Sequence, residues 1–326
     1  MAIGTNVLTL TDWAKRIDPD GKIASIAEML SQTNEILNDI SFIEGNLPIG
    51  HRMTLRTTLP DVYFKIINRG VPTSKSTTAQ VDEQAGNIIG WSEIDKDEAE
   101  LNANVNAFRL SEGAAFIQAM NIRFAQTLFY GNPSINVEEF AGLSPRYSQL
   151  AGAGNSQNII DAGGTGSDTF SIWLLNFSPM TTFGFFPKGS RAGLVHDDQG
   201  LVTIETTKDG RELRDEVYRD KWQWKAGVAV KDTRYNVRIV NCTTSTGNLS
   251  DLMIKAIHTV PDTNTGKFCF AMNRTAINQL DIQRKRDVNQ GGMTYVDVDG
   301  MPKPHFWGIP IRKMDTLLTT EDALTA

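Results

Sequence analysis

GKFCFAMNRTAINQLDIQRKRDVNQGGMTYVDVDGMPKPHFWGIPIRKMD, residues 266–315, is the stretch on which the reading of this chain turns. It reads as a strand over Lys267–Met272, then a helix capped by Asn273 that buries Ala276, Ile277 and Leu280. A polar loop follows, with a hairpin turn at Asp299 and Gly300, and a second strand is entered through the turn-like Trp307, Gly308, Ile309 and Pro310. The basic triplet Arg284, Lys285 and Arg286 falls at the end of the helix, where positive charge meets the negative end of the helix dipole. The run Asp297, Val298, Asp299, Gly300 resembles the start of a calcium loop, but Met301 and Pro302 stand where a ligand and the turn glycine belong. The stretch is a packing unit, and nothing in it points to catalysis.

Size and charge narrow the function classes. A chain of 326 residues with 40% hydrophobic residues buries a sizeable core. Lys and Arg number 32 against 38 Asp and Glu, a net charge of -6, which argues against a surface built to hold nucleic acid by counterion release. No apolar run is long enough to cross a bilayer, and no membrane partner is expected. The start of the sequence lacks the basic-then-apolar pattern of a secretory leader, so a cytoplasmic site of assembly is expected. The two cysteines, Cys242 and Cys269, sit beside apolar neighbours outside any Cys-x-x-Cys pair and are expected to be small buried side chains.

Working outward towards the start of the chain, Ile23, Ile26, Ala27, Leu30, Leu37 and Ile40 recur at helical steps over residues 22–40, with a shorter piece capped by Thr11 and anchored by Trp13 before them. This is an amphipathic arm that needs a surface to lie on. Residues 52–66 switch to a period of two, interrupted by Pro60: Met53, Leu55, Thr57 and Leu59, then Val62, Phe64 and Ile66. The Ser- and Thr-rich residues 71–84 separate these from Ile88, Ile89 and Trp91, which predicts a long hairpin with a soft tip that docks on another body. Residues 110–132 carry the strongest helical signal: Ser111 as N-cap, a stripe of Ala114, Ile117, Met120, Phe124 and Leu128, and Gly131 as the stop before Pro133. Residues 96–106 upstream are also compatible with helix.

Residues 151–168 are glycine-rich and read as an irregular loop; they match neither G-x-x-x-x-G-K-[ST] nor G-x-G-x-x-G. Strands follow at residues 171–177 and 182–186. Residues 216–241 alternate strictly (Tyr218, Trp222, Trp224, Ala226, Val228, Val230, then Tyr235, Val237, Ile239), which predicts a long antiparallel pair turning near Asp232 and Thr233 and forming the sheet under the 110–132 helix. A further helix starts with Ser250 as N-cap, buries Leu252, Met253, Ala256, Ile257 and Val260, and ends before Pro261.

Of the four histidines, at 51, 196, 258 and 305, only His196 has acidic neighbours, Asp197 and Asp198; the flanking Gly193 and Gly200 make this an exposed loop on sequence grounds. No nucleophile elbow, H-E-x-x-H helix or Cys/His cluster occurs, so no catalytic, cofactor or metal residues are assigned.

The order of these elements resembles the major capsid (coat) protein of tailed bacteriophages, the fold named after a Hong Kong lambdoid phage, and is most similar to coat proteins of epsilon-type short-tailed phages. The resemblance covers nearly the whole chain and rests on FIEGNLPIGHRMTLR (42–56), PTSKSTTA (72–79), FRLSEGAA (108–115), TLFYGN (127–132), NIIDAGGTGSD (158–168) and FPKGSRAG (186–193), together with Met272, Asn273, Arg274 and Gly308, Ile309, Pro310. It implies an α+β chain with an N-terminal arm (1–45), an extended loop hairpin (46–95), a peripheral domain (96–242) whose spine helix spans 110–132 on a β-sheet, an axial domain (243–313) and a C-terminal tail (314–326). One departure is that the long peripheral strands of the lambdoid form follow the Gly-Ile-Pro-like segment, whereas the candidates here precede it.

The resemblance further implies a non-enzymatic subunit without cofactors that assembles with itself, as pentamers and hexamers, into an icosahedral shell around non-specifically held double-stranded DNA. A separate scaffolding protein, a portal and a decoration or cement protein are the implied partners; large proteolytic trimming is not expected, because the arm has no long charged prefix before it. Lys65 and Lys75 are the extended-loop candidates for a Lys to Asn cross-link, for which no carboxylate partner is identified. Two rivals remain: an encapsulin-like nanocompartment shell, and a β-rich hydrolase using His196, Asp197 and Asp198.

Overall fold

The run FSIWLLNF, Phe170–Phe177, is buried at every position, because the strand it forms has a separate apolar core on each face. The computed structural model describes residues 34–101, 104–152, 154–208, 211–286, 293–298 and 301–325, and the side chains of these outside 206–213 and 284–303. The predicted helices capped by Thr11 and over 22–33 lie outside the described residues.

In chain order the elements are β1 (Phe42–Glu44), β2 (Gly50–Thr58), β3 (Thr77–Gln84), β4 (Gly86–Asp95), helices α1 (Lys96–Glu100) and α2 (Val105–Tyr130), then β5 (Ile159–Asp161), β6 (Phe170–Phe177), β7 (Thr182–Phe186), β8 (Leu194–Lys208), β9 (Arg211–Val230) and β10 (Val237–Cys242). Helix α3 (Leu249–Thr259), β11 (Lys267–Met272), helix α4 (Arg274–Arg286), β12 (Met293–Val298), β13 (Met301–Phe306) and β14 (Ile309–Lys313) complete the chain. One large sheet runs β12-β13-β14-β11-β6-β7-β9-β4, with β8 beside β9, β10 beside β6, β5 beside β10 and β1 beside β7; β2 and β3 form a two-stranded sheet of their own.

The alternation along β6 explains the two cores. Trp173, Leu175 and Phe177 enter one, with Phe124, Ala125, Leu128 and Phe129 of α2. Phe170, Ile172 and Leu174 enter the other, under Leu249, Met253 and Ala256 of α3 and Ala276 and Leu280 of α4. Strand β11 divides likewise: Cys269 and Ala271 face the first core, Phe268, Phe270 and Met272 the second. The cysteines are both buried and free, as expected, and they belong to opposite cores. Burial pushes the Cys242 thiol up to about 12 and raises Cys269 further.

The strand and capped helix that begin the opening stretch, and the strand that ends it, fold as read. Asn273 Oδ1 accepts the Ala276 N–H at 2.7 Å, and β11 pairs in parallel with β14. Strands β12 and β13 pair antiparallel from Met293↔Phe306 to Val298↔Met301, and the expected turn residues Asp299 and Gly300 lie outside the described residues. Trp307 and Gly308 both have positive φ (50° and 80°) at the turn into β14.

Other expectations are corrected. The 22–40 helix does not reach Ile40: Glu35–Asn38 is a 3₁₀ turn, Ile36 and Ile40 plug the first core, and Asp39 is held by Arg312 (2.6 and 2.9 Å). Strand β2 stops at Thr58, two residues before Pro60, and Val62, Phe64 and Ile66 lie outside any strand. The hairpin forms, but β2 pairs with β3; Ile88, Ile89 and Trp91 lie on β4, which pairs with β9. Helix α2 begins earlier than predicted, with Asn104 accepting from the Ala107 N–H at 3.2 Å, so Ser111 is interior. Gly131 does end it, its N–H donating to the Thr127 carbonyl at 2.9 Å. Asn248, not Ser250, precedes α3, whose Leu249 N–H is capped at 3.0 Å by Gln283 Oε1 of α4. The loop over 151–168 contains β5, paired in parallel with β10.

The largest correction concerns residues 216–241. Both strands exist, separated by a 3₁₀ turn at Thr233–Tyr235, yet β9 pairs with β4, β7 and β8, while β10 pairs with β5 and β6. The turn is pinned to the β6–β7 connection instead of closing a hairpin. Lys231 N–H donates to the Thr181 carbonyl (2.7 Å), and Asn236 Nδ2 donates to Thr182 Oγ1 (2.7 Å) while its Oδ1 accepts the Asn176 N–H (3.2 Å).

Candidate assembly surfaces

The β2–β3 hairpin is anchored at its base and bare at its tip. Met53 is buried against Phe183, Phe185 and Ala229. His51 packs edge-on against Phe183 (5.4 Å between centroids) and beside Phe185, and burial, helped by the Lys231 charge, lowers its pKa. Buried Glu83 receives a two-pronged ion pair from Arg146 (2.6 and 2.7 Å), and Arg52 bridges to Asp82 across the strands at 2.6 Å. Beyond Thr58 the chain leaves these anchors. Leu59, Val62, Tyr63, Phe64, Ile66, Ile67 and Val71 are all exposed, Phe64 fully, in a chain that has apolar cores elsewhere to bury such residues. Lys65 and Lys75 stand exposed among them.

Helix α2 packs one flank on β4 and β9. Gly113 permits the approach, since a Cβ there would lie 2.8 Å from Trp222 Cζ2, and Phe124 stacks on Trp224 with centroids 4.4 Å apart. Of the predicted stripe, Met120, Phe124 and Leu128 are buried, whereas Ala114 is exposed and Ile117 is 43% exposed; Phe108 and Gly113 take the inner positions of the first turns. Leu110, 75% exposed, joins Ala114 and Ile117 in a bare stripe on the outer flank.

His196 is not on a loop. It lies within β8, opposite Trp222 of β9 in the strand register, with its ring stacked on that indole 4.1 Å away. Its Nε2 is 2.8 Å from Asp220 Oδ1, and the same buried carboxylate takes Nε and Nη2 of Arg109 at 3.1 and 2.7 Å. Arg109 also donates to Asp198, which its guanidinium and the Gly200 N–H hold below the usual carboxylate range. The cluster ties α2 to β8 and β9. Asp220 is paired with an arginine, and Asp197 is not among the residues joined here, so His196, Asp197 and Asp198 are not brought together as one set. Among the described residues, no group of His, Cys, Asp or Glu is placed to hold a metal ion, and no helix is long and apolar enough to cross a membrane.

The chain's last residues close the structure. Met314 and Leu317 enter the first core, and Glu321, exchanging backbone hydrogen bonds with Thr169, puts its carboxylate against Arg238 (3.0 Å), Tyr130 (2.5 Å) and Ser171 (2.5 Å). One acid thus joins α2, β6 and β10. Sequence reasoning missed this network, as it missed Arg109–Asp220 and Arg146–Glu83, because the partners are 83, 111 and 63 residues apart and no local pattern links them.

The arrangement presents two bare apolar surfaces, the hairpin tip and the outer flank of α2. A family model described as "Major capsid protein GP7" matches residues 18–325. The chain belongs to this major capsid protein family. As a capsid protein it is a structural subunit of a tailed-phage shell and acts by assembling with further copies of itself. The subunit is similar, at 29% identity over 100% of both chains and a TM-score of 0.78, to a chain in a structure of bacteriophage Epsilon15. That likeness carries the mixed α+β capsid fold expected from the sequence. Weaker likenesses are to the capsid of bacteriophage JBD30 (9% identity, 90% of this chain and 95% of that one, TM-score 0.46) and of a native GTA particle (8%, 69% and 95%, 0.46). No curated protein sequence matches. A family of capsid proteins supports neither the nanocompartment nor the hydrolase alternative.

Proposed function

We propose that the subunit assembles as pentamers and hexamers into an icosahedral shell that encloses double-stranded DNA, without catalysing any reaction. The observation that supports this is the hairpin tip, whose exposed apolar side chains are not covered by any of the described residues and would gain cover in an assembly. Closed point symmetry turns such self-contacts into a finite particle. A net charge of -6 fits DNA held by confinement more than by specific contacts. In this reading residues 1–45 are the arm, 46–95 the extended loop over a neighbouring subunit, 96–242 the peripheral domain, 243–313 the axial domain and 314–326 the tail. A separate scaffolding protein directs closure in the host cytoplasm, and a portal and a decoration protein complete the particle.

The test is co-expression with and without the scaffold candidate, followed by electron microscopy. Closed shells that form or become uniform with the scaffold are expected. Loss of a measured hydrolytic activity on His196→Ala, with assembly unchanged, would overturn the non-catalytic reading.

A further inference from the structure

Residues 321–324 are held as a peptide ligand is held. Met314 and Leu317 are buried in the first core, Leu318, Thr319 and Thr320 are exposed, and the segment then enters a groove formed by Tyr130, Gly166, Thr169 and β10. The Glu321 N–H donates to the Thr169 carbonyl at 2.8 Å, and the Glu321 carbonyl accepts the Thr169 N–H at 3.3 Å and Oγ1 at 2.8 Å, an antiparallel bridge just ahead of β6. The Ala323 N–H donates to the Gly166 carbonyl at 2.9 Å. At Leu324 one buried side chain takes both main-chain groups: Asn241 Oδ1 accepts the N–H at 2.8 Å and Nδ2 donates to the carbonyl at 2.9 Å. Pairing an added segment through its backbone while pockets select its side chains is a general mode of peptide recognition.

Residues outside the segment build the receiving side. Asn241 has φ 57°, a left-handed conformation uncommon outside glycine, and its Nδ2 is also fixed by Asp161 Oδ1 of β5 at 2.7 Å. Arg238 is 7% exposed and is oriented by the Tyr147 carbonyl at 2.9 Å, Ser171 Oγ at 3.1 Å and the Trp173 ring at 5.1 Å. None of those three carries negative charge, so the buried guanidinium requires an acid from the segment, and Glu321 supplies it at 3.0 Å. Three residues on, Leu324 packs against the first core, while Asp322 between them is exposed. The groove thus reads Glu-x-x-Leu on an extended backbone.

We propose that this groove is a peptide-binding site specific for extended Glu-x-x-Leu segments, occupied in the subunit by its own residues 321–324 and open to the same sequence on a separate molecule once that strap is disabled. The exposed link over 318–320 lets the strap leave without breaking the buried contacts of Met314 and Leu317. The site does not depend on the shell reading, and its ligand class is a peptide both acidic and apolar.

The test uses the full chain carrying Glu321→Ala and Leu324→Ala, which keeps the groove and disables the strap, titrated with a fluorescent synthetic peptide TTEDALTA, the sequence of residues 319–326. Saturable binding by fluorescence anisotropy and a thermal midpoint that rises with peptide concentration are expected. A peptide carrying Glu321→Gln should bind at least about tenfold more weakly, because an uncharged amide leaves the guanidinium without its counter-charge. Adding Arg238→Met to the chain should remove the difference between the two peptides. The parent chain should bind the peptide at least about tenfold more weakly than the strap variant, since its own segment competes from a tethered position. Leu324→Ala alone replaces the double variant if the latter does not fold, with the same ranking of peptides expected. Absence of saturable binding to the folded variant, equal binding of the two peptides, or equal binding by parent and variant would overturn the site. None of these results bears on whether shells form, so the shell reading stands or falls separately.

Discussion

Replacing Glu321 with alanine should be among the most damaging single changes outside the apolar cores. The Arg238 and Glu321 side chains are 7% and 9% exposed, so removing the carboxylate leaves a buried guanidinium without its counter-charge. Breaking one side of such a pair costs about 3–5 kcal/mol. The Tyr130 and Ser171 hydroxyls lose their acceptor in the same step, and a buried donor left unpaired costs about 1–3 kcal/mol, not fully additive within one network. Arg238 keeps the Tyr147 carbonyl at 2.9 Å and the Trp173 ring at 5.1 Å, so the total lies near the lower end of the sum, at about 4 kcal/mol. Urea unfolding of the unassembled subunit measures it; with a slope of about 3 kcal/mol per molar the midpoint should fall by more than about 1 M. The double variant Arg238→Met, Glu321→Leu removes both charges and should be the more stable of the two, because replacing a buried pair by apolar groups is often neutral. A midpoint for Glu321→Ala within about 0.3 M of the parent would refute the reasoning, as would a double variant less stable than the single one.

Other outcomes follow from the same structure. The lowered pKa of His51 means that its folded state favours the neutral ring, so the stability it contributes is present above the unfolded value of 6.5 and is lost as the pH falls below it. An NMR titration should place His51 below 6.5, and His51→Phe should flatten the stability profile between about pH 7 and 5. Asp198 is depressed by Arg109, so its contribution is present above the unfolded value of 3.8 and disappears below it; the stability gap between the parent and Asp198→Asn should close as the pH drops under 3.8. Cys242 and Cys269 should resist a thiol-alkylating reagent at pH 8 in the native subunit and both react once it is unfolded in urea.

The legible parts of the fold are those set by neighbours in sequence. The Asn273 cap, the strand before it, the stop at Gly131 and the hairpin after Met293 depend on residues a few positions apart, and each is where its pattern places it. Pairing between distant strands is a different matter. The alternation over 216–241 reports two half-buried strands but not which neighbours they take, and the apolar strands β6 and β7 claim the interior places between them. The stripe on α2 fails at Ala114 and Ile117 because an apolar residue at helical spacing fits the monomer's core and a subunit interface alike. His196 looks like a loop residue because its flanking glycines mark turns, yet Gly193 only precedes β8 and Gly200 marks a break in the β8–β9 register within it. Of the candidate surfaces, the projecting hairpin is legible in advance, but its tip is not: the expected Ser- and Thr-rich tip over 71–84 is mostly strand β3, and the bare apolar residues 59–71 fall where the alternation predicts strand. The buried carboxylates at 83, 220 and 321 are not legible either, since only the folded chain brings their arginines to them.

The central claim is that this chain's work is done by contacts between its own copies. Cryo-electron microscopy of the purified subunit, expressed with and without a candidate scaffolding protein, tests this most directly. Closed icosahedral particles, with this chain in rings of five and six, are the result predicted; soluble monomers under every condition would contradict it.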